Sequence, residues 1–94
     1  MRTVAPIIIV KGEEEAIRVA GNSDFGLGAS LWTEDREHAM EIEKRIESGI
    51  LSVNSMVASD PRLPFGGVKK SGIGRELYKY GLYEFMNIKS IKVY

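Results

Sequence analysis

Cysteine is absent from this chain of 94 residues. Its absence excludes disulfide bonds, thiolate metal sites and a thiol nucleophile among these residues. An excess of positive charge is lacking too, because 13 basic residues balance 13 acidic ones and the formal net charge is zero. A protein that neutralises nucleic-acid phosphates needs a basic surface, so we expect no nucleic-acid partner.

Long apolar runs are also lacking. Residues 7–10 form only a short apolar run, whereas a membrane-spanning helix needs roughly 20 such residues. No small-residue cleavage site follows this run, so it lacks the pattern of a signal peptide. We therefore expect no membrane partner and a cytoplasmic localisation, in a chain long enough for one small domain.

Candidates for metal binding or acid–base chemistry are few. His38 is the single histidine and lies among Glu and Ala in a predicted helix, so a surface histidine is a better interpretation than a general base. Glu13, Glu14 and Glu15 are consecutive, and consecutive helical side chains point in different directions rather than converging on an ion. We expect a solvated helix start there and no metal site.

The first half of the chain alternates between strand and helix patterns. Residues 6–10 are a continuous, mostly β-branched run, which suits a strand buried on both faces of a parallel sheet. Thr33 is the expected N-cap of the second helix and Gly49 its expected C′ residue. The predicted order is strand 6–10, helix 13–20, strand 27–33, helix 34–48 and strand 50–54. Such a β-α-β-α-β order favours parallel strands joined by right-handed crossovers, so we predict an α/β fold.

The second half begins with a long loop over residues 55–74, which contains two prolines and four glycines. A loop of this length in a small domain is usually functional or disordered. Residues 75–85 predict a short helix, which Gly81 interrupts and is expected to split. Residues 88–94 alternate in polarity as a strand does, and a terminal strand with a free edge favours pairing with another chain.

The glycines of the loop do not complete a phosphate-binding motif. Gly72 and Gly74 resemble the start of a dinucleotide fingerprint, but Leu77 stands where the third glycine is required. Gly67 and Gly72 have P-loop spacing, but Ile73 stands where the lysine is required. We therefore reject both interpretations.

Residues 54–77 nevertheless resemble a known signature. They read NSMVASDPRLPFGGVKKSGIGREL, which is similar to the C-terminal signature of the NAD(P)-dependent aldehyde dehydrogenases. The segments APIIIV, EEAIRVA, FGLGASLWTED, RIESGILSVN and YGLYEFMNIKSIKVY resemble the family's final segment in the same order. The loop is most similar to the branch that oxidises semialdehydes, particularly the succinate semialdehyde dehydrogenases.

This resemblance implies an organisation and a set of site residues. Residues 1–86 are expected to be the C-terminal part of the catalytic domain, and residues 87–94 an oligomerisation strand through which the chain self-associates. Phe65 matches the aromatic residue beside nicotinamide and substrate, so it is the candidate for binding both cofactor and substrate. Ser59 matches a loop serine that contacts the substrate's distal carboxylate, although an ordinary loop serine is the alternative. Arg62 adds a positive charge whose position the sequence does not reveal.

The resemblance also implies the reaction, in which a cysteine thiolate attacks an aldehyde, hydride passes to nicotinamide and a glutamate activates the hydrolytic water. The resemblance implies that this cysteine, this glutamate and the dinucleotide-binding domain lie upstream of the position of residue 1. The chain also departs from the family pattern at its start, where Met1-Arg2-Thr3 replaces the family's Phe-Gly-Pro. We therefore expect no catalytic residue in this chain and no activity from the chain alone. NAD or NADP is the cofactor of the complete enzyme, none is expected to bind tightly here, and the N-terminal portion of the enzyme is a partner.

Several alternatives stay open at this point. The chain is otherwise interpreted as a non-catalytic remnant or an oligomerisation module. The sequence does not separate NAD from NADP. Lactaldehyde and other small aldehydes remain alternative substrates.

Overall fold

The computed structural model describes residues 4–94, so the predicted replacement at Met1-Arg2-Thr3 lies outside the described residues. Within residues 4–94 the chain has three helices and four short strands. These are α1 (Glu13–Gly21), β1 (Phe25–Gly26), β2 (Gly28–Leu31), α2 (Arg36–Glu43), β3 (Ile50–Val53), β4 (Val68–Lys69) and α3 (Tyr78–Tyr83).

The strands form two small pairs. β2 and β3 are parallel, with Gly28 opposite Ile50 and Leu31 opposite Val53, and α2 lies between them in sequence. This parallel β-α-β unit is the second half of the pattern that the sequence predicts. β1 and β4 pair antiparallel, with Phe25 opposite Lys69, and this second pair brings the glycine-rich loop against the β-α-β unit.

The predicted first strand is not formed. Residues 6–10 have no strand pairing within the described chain, and the side chains of Ile7 and Ile9 are 92% and 93% exposed. A β-branched run favours extended backbone, but a strand also needs a hydrogen-bonded neighbour, which residues 4–94 do not supply here. Residues 88–94 likewise have no strand assignment in the single chain, and their pairing with another chain stays a prediction.

Helix α2 begins and ends inside its predicted bounds. Its N-cap is Asp35, whose Oδ1 accepts the His38 N–H at 2.9 Å, so the expectation for Thr33 is wrong. Thr33 instead caps the turn before the helix, where its Oγ1 accepts the Asp35 N–H at 3.1 Å. A carboxylate at this position also faces the positive end of the helix dipole, which favours Asp over Thr. Gly49 is not the C′ residue, because α2 ends at Glu43.

Helix α3 is shorter than predicted, and Gly81 lies within it without splitting it. Leu77, the residue just before α3, has φ 64° and ψ 168°, far from the values of a right-handed helix. Helical backbone cannot pass through such a residue. The helix therefore begins after Leu77, while the residues before it belong to the loop.

The buried core is small. Among the described residues, the buried apolar side chains are Ala39 at 0% exposure and Ile42 at 7%, both in α2. The radius of gyration is 17.1 Å, whereas a compact domain of this length has about 12 Å. Much of the chain's apolar surface is therefore open, and no helix within residues 4–94 is long and apolar enough to cross a membrane.

Ion pairs join α1 to the segment around α2. Glu13 Oε2 lies 2.6 Å from His38 Nε2, and the Glu14 carboxylate accepts two hydrogen bonds from Arg45 at 2.8 and 2.5 Å. Glu15 instead accepts the Lys11 N–H at 2.8 Å. The three acidic side chains thus point to three different partners, as predicted, and the described residues contain no group of three His, Asp or Glu side chains placed to hold a metal ion.

Candidate functional site

Residues 65–76 form a closed loop, called here the Phe65 loop. The Phe65 N–H donates to the Glu76 carbonyl at 2.8 Å, and the Glu76 N–H donates to the Phe65 carbonyl at 2.7 Å. These two hydrogen bonds form an antiparallel bridge that brings the two ends of the loop together. Phe65 is thereby fixed at the base of the loop, with its side chain half-buried.

Arg75 holds the interior of this loop, and Ser71 holds the loop against β1. Arg75 Nη1 donates to the carbonyls of Gly67 and Gly74, both at 2.9 Å. Ser71 Oγ accepts the N–H of Gly26 at 2.9 Å, across 45 residues of sequence. A loop carbonyl without a strand partner must find another donor, and here an arginine side chain supplies it.

Lys69 fastens the loop to the end of α1. Its Nζ donates to the carbonyls of Gly21 and Ser23 at 3.0 and 3.1 Å, and lies 3.2 Å from Glu47 Oε2. The Lys69 side chain is 24% exposed and its φ is 53°. Within residues 4–94, the ammonium of Lys70 contacts only the carboxylate of Asp24, and both side chains are largely exposed (70% and 69%).

Three glycines stand where the loop is closely packed. A Cβ added at Gly49, which precedes β3, would lie 1.6 Å from the Gly66 carbonyl oxygen, so Gly49 lets the loop approach the strand. A Cβ added at Gly66 would lie 2.5 Å from the Gly74 carbonyl oxygen, and one added at Gly67 would lie 2.4 Å from the Ser71 Cβ. Neither Gly66 nor Gly67 has positive φ, so their role is close packing within the loop rather than a left-handed turn.

Phe65 lines an open cleft of about 640 Å³, called here the Phe65 cleft. Its apolar wall is formed by Phe65 together with Leu27, Leu77, Leu82 and Phe85. Charged groups of Arg75, Glu76 and Glu84 lie at the same cleft. A concave, mostly apolar surface with a few polar groups has the chemistry of a site for a flat organic ring.

Ser59 lies apart from this cleft. It is exposed in the irregular segment before Phe65 and is not among the residues 4–94 that line the Phe65 cleft. The structure therefore does not bring the two predicted site residues together in one pocket. The role of Ser59 in binding a carboxylate stays a prediction.

Arg62, which sequence reasoning did not place, is bound to Asp60. Arg62 Nη2 lies 2.7 Å from Asp60 Oδ2, and Nε lies 3.0 Å from Oδ1. The side-chain and backbone hydrogen bonds from Arg62 lower the pKa of Asp60 to about 2. The same side-chain bond raises the pKa of Arg62 above its ordinary value. Both groups are therefore ionised at neutral pH.

Sequence reasoning also missed the residues that hold the loop: Lys69, Ser71 and Arg75. A signal for them exists, because Lys69 and Ser71 are hydrogen-bonding side chains between glycines of an aperiodic loop and Arg75 directly follows its last glycine. The carbonyls of such a loop have no ladder partners, so nearby donors are expected to satisfy them. Which carbonyl each donor reaches is visible only in three dimensions.

The profile of the aldehyde dehydrogenase family matches residues 3–91 of the chain. A probable succinate-semialdehyde dehydrogenase [NADP(+)] of Synechocystis sp. is 50% identical over 78 residues, covering 83% of this chain and 17% of the relative. The succinate semialdehyde dehydrogenase [NAD(P)+] Sad of Escherichia coli is 48% identical over 88 residues, covering 94% of this chain and 19% of the relative.

A solved structure shares the fold as well. The succinic semialdehyde dehydrogenase of Streptococcus pyogenes, crystallised with NADP+, superposes with a TM-score of 0.87 at 45% identity. The match covers 89% of this chain and 18% of that protein. This chain thus spans 17% to 19% of the length of these relatives. Because the family profile matches almost the whole sequence, the chain belongs to the aldehyde dehydrogenase family.

Proposed function

We propose that this chain is a C-terminal part of a succinate-semialdehyde dehydrogenase, which oxidises an aldehyde to a carboxylate with NAD(P). The observation that supports this most is the similarity to semialdehyde dehydrogenases along the chain, at 48% identity over 88 residues in one case. The remaining four-fifths of such a relative would supply the cysteine nucleophile and the water-activating glutamate. The chain alone is proposed to be inactive, because it contains no cysteine.

Within that enzyme, the residues of this chain would shape the site rather than perform the bond-making. Phe65 is half-buried beside an apolar cleft, which fits a flat ring held against it and water excluded from its face. NAD(P), when bound, supplies the hydride acceptor. The bridge from Phe65 to Glu76 and the bonds from Arg75 hold this aromatic wall in place. No phosphate-binding loop accompanies it here, so the chain alone is proposed to bind NAD(P) weakly or not at all.

Residues 87–94 are proposed to be an oligomerisation strand, with residues 1–86 belonging to the catalytic domain. Residues 88–94 alternate in polarity as a strand does. In the single chain, however, the apolar side chains of Ile88, Ile91 and Val93 are 78%, 78% and 88% exposed. Pairing with the sheet of a second subunit would satisfy this backbone and cover these side chains. The same segment supports self-association of the chain.

Fragment complementation tests the proposed function. The chain is mixed with the separately produced N-terminal portion of a succinate-semialdehyde dehydrogenase, and NAD(P)H formation is followed with succinate semialdehyde. We expect turnover from the mixture and none from either part alone. A mixture that forms a complex by light scattering yet oxidises no aldehyde contradicts the proposal.

A second candidate function is a non-catalytic module that binds copies of itself or intact dehydrogenases. The large exposed apolar surface favours it, since Phe85, Ile73 and Tyr94 are 96%, 100% and 102% exposed. Soluble monomers rarely leave so many large apolar groups uncovered. A strictly monomeric chain that does not bind an intact dehydrogenase excludes this second function.

A further inference from the structure

Lys69 departs from two local rules at once. Its φ is 53°, in the left-handed region that residues other than glycine and asparagine rarely adopt. Its side chain is only 24% exposed, whereas that of the neighbouring Lys70 is 70% exposed. A strained backbone and a covered ammonium persist only where the surrounding structure holds them, and such departures concentrate at functional sites.

The ammonium of Lys69 connects three segments of the chain. Nζ donates to the carbonyls of Gly21 and Ser23 at 3.0 and 3.1 Å and lies 3.2 Å from Glu47 Oε2. Gly21 is the last residue of α1, where the helix dipole favours a positive charge. Glu47 lies between α2 and β3. A single side chain thus joins the Phe65 loop to the end of α1 and to the segment that leads into β3.

The segment that Lys69 contacts is also the one that supports Phe65. Gly49 follows Glu47 by two residues, and a Cβ added at Gly49 would lie 1.6 Å from the Gly66 carbonyl oxygen. Gly66 follows Phe65 directly, so the residue beside the aromatic ring packs on the segment that Lys69 binds. Because hydrogen bonds close the base of the Phe65 loop, we expect the loop to move as one unit when this support changes.

Lys69 is not among the described residues that line the Phe65 cleft, so it acts on that cleft only through the loop. We propose that Lys69 is a positioning residue, whose ammonium sets where the Phe65 ring stands against the cofactor and the substrate. The proposal rests on the proposed function, because that function places Phe65 beside both molecules. It also makes a claim about the chain alone, namely that without this ammonium the base of the loop opens more often.

The absence of cysteine allows the ammonium to be removed and restored chemically. Lys69→Cys introduces a thiol that has no competitor in the chain, and its thiolate displaces bromide from 2-bromoethylamine to form a carbon–sulfur bond. The aminoethylated side chain ends in an ammonium, at the same number of bonds from the backbone as in lysine. Iodoethane adds an ethyl group by the same displacement, with loss of iodide. The two products therefore differ only by the ammonium.

The first measurement is amide hydrogen exchange in the 94-residue chain. We expect the Phe65 and Glu76 N–H groups of the ethylated chain to exchange about tenfold faster than in the unchanged chain, the scale of one lost hydrogen bond to a charged group. The aminoethylated chain should exchange as the unchanged chain does.

Lys70→Cys, carried through both reactions, is the matched control. Within residues 4–94, the ammonium of Lys70 contacts only the Asp24 carboxylate, in an exposed pair. Such a pair contributes little to stability. Neither product of Lys70→Cys should therefore alter the exchange of the Phe65 and Glu76 N–H groups.

The second measurement separates positioning from stability. Each alkylated chain is mixed with the separately produced N-terminal portion of a succinate-semialdehyde dehydrogenase, and NAD(P)H formation is followed in a single turnover. A loss of folded enzyme lowers the amplitude of this signal, whereas a misplaced Phe65 lowers its rate constant. We expect the ethylated Lys69→Cys chain to lower the rate constant about 10- to 100-fold, and the aminoethylated chain to restore it. KM for NAD(P) should stay nearly unchanged, because the proposed dinucleotide-binding domain lies in the other portion.

Equal rate constants for the ethylated and aminoethylated chains overturn the proposal, as do equal exchange rates. If the ethylated chain does not fold, Glu47→Gln carries the test, since it removes the charge partner of Lys69 and leaves both carbonyl contacts. A Glu47→Gln rate constant equal to that of the unchanged chain then overturns the proposal. If the mixture with the unchanged chain oxidises no aldehyde, the proposed function fails, and the exchange rates alone decide whether Lys69 holds Phe65.

Discussion

Replacement of Gly49 by alanine tests the contact that holds the Phe65 loop against the strands. A Cβ at this position would lie 1.6 Å from the Gly66 carbonyl oxygen, whereas real Cβ contacts are at least about 3.0 Å. The two backbones must therefore move apart by about 1.4 Å, the difference between these distances. No positive φ is recorded at Gly49, so the cost is steric rather than conformational.

The magnitude follows from what this movement breaks. Overpacking of a close contact costs about 1–3 kcal/mol. The hydrogen bond from the Gly49 N–H to the Gly26 carbonyl, at 3.0 Å, is strained in the same movement, which adds about 0.5–1.5 kcal/mol. We expect a total loss of about 2–4 kcal/mol in the free energy of unfolding. For a domain of this size, that lowers Tm by at least about 8 °C.

Gly21→Ala is the matched control. Nothing lies within 4 Å of a Cβ built at Gly21, and Gly21 is the last residue of α1. Alanine is favoured over glycine in a helix by up to about 1 kcal/mol, so Tm should stay the same or rise. Thermal and urea unfolding, followed by far-UV circular dichroism, measure both variants.

A Gly49→Ala chain whose free energy of unfolding lies within about 0.5 kcal/mol of the unchanged chain refutes the steric argument. Amide hydrogen exchange gives a second measurement if the Gly49→Ala chain is only partly unfolded at room temperature. The Phe65 and Glu76 N–H groups, which close the loop, should exchange faster in Gly49→Ala and at the same rate in Gly21→Ala. Equal exchange rates of these two N–H groups in both variants would also refute the steric argument.

Three further predictions concern the remaining contacts. A hydrogen bond to Glu13, and a weaker one to Glu41, raise the pKa of His38 above its ordinary value of 6.5. The stability that these bonds contribute is therefore fully present below pH 6.5 and is lost as pH rises through the raised pKa. Urea midpoints measured against pH should show this loss, and His38→Gln should abolish it. Lys69→Met should lower the urea midpoint measurably, since it removes contacts to two carbonyls and Glu47. Lys70→Met removes only an exposed ion pair and should leave the midpoint almost unchanged. Equal midpoints for the two variants would contradict this prediction. Ile42→Ala, in the small core, should cost about 2–4 kcal/mol by urea unfolding, and a loss below about 1 kcal/mol would show that Ile42 does not anchor α2.

Local patterns predicted the central elements well. The acidic start and apolar spacing of α1 predict residues 13–20, and the helix is Glu13–Gly21. The predicted parallel relation of the second and third strands is confirmed by β2 and β3. These features depend on neighbours close in sequence or on a short crossover, so they leave a readable periodicity.

Competition between similar residues was harder to predict. Thr33 and Asp35 are both capping residues two positions apart, and the charge of Asp35 at the helix dipole favours it. The predicted start of α3 was also wrong, because Glu76 is hydrogen-bonded to Phe65 and cannot join a helix from Arg75. In both cases the deciding contact is absent from the periodicity of the segment.

The sequence by itself determined the family, the central α/β elements and the position of the loop that contains Ser59 and Phe65. Only the tertiary structure decided that Phe65 is fixed by Glu76 and lines a cleft without Ser59, and that Arg62 is oriented by Asp60. It also decided that residues 6–10 form no strand in the described chain. The physical reason is that composition and spacing indicate which apolar side chains must be buried and which polar groups must be hydrogen-bonded. The partner of each group depends on which distant segments the folded chain brings together.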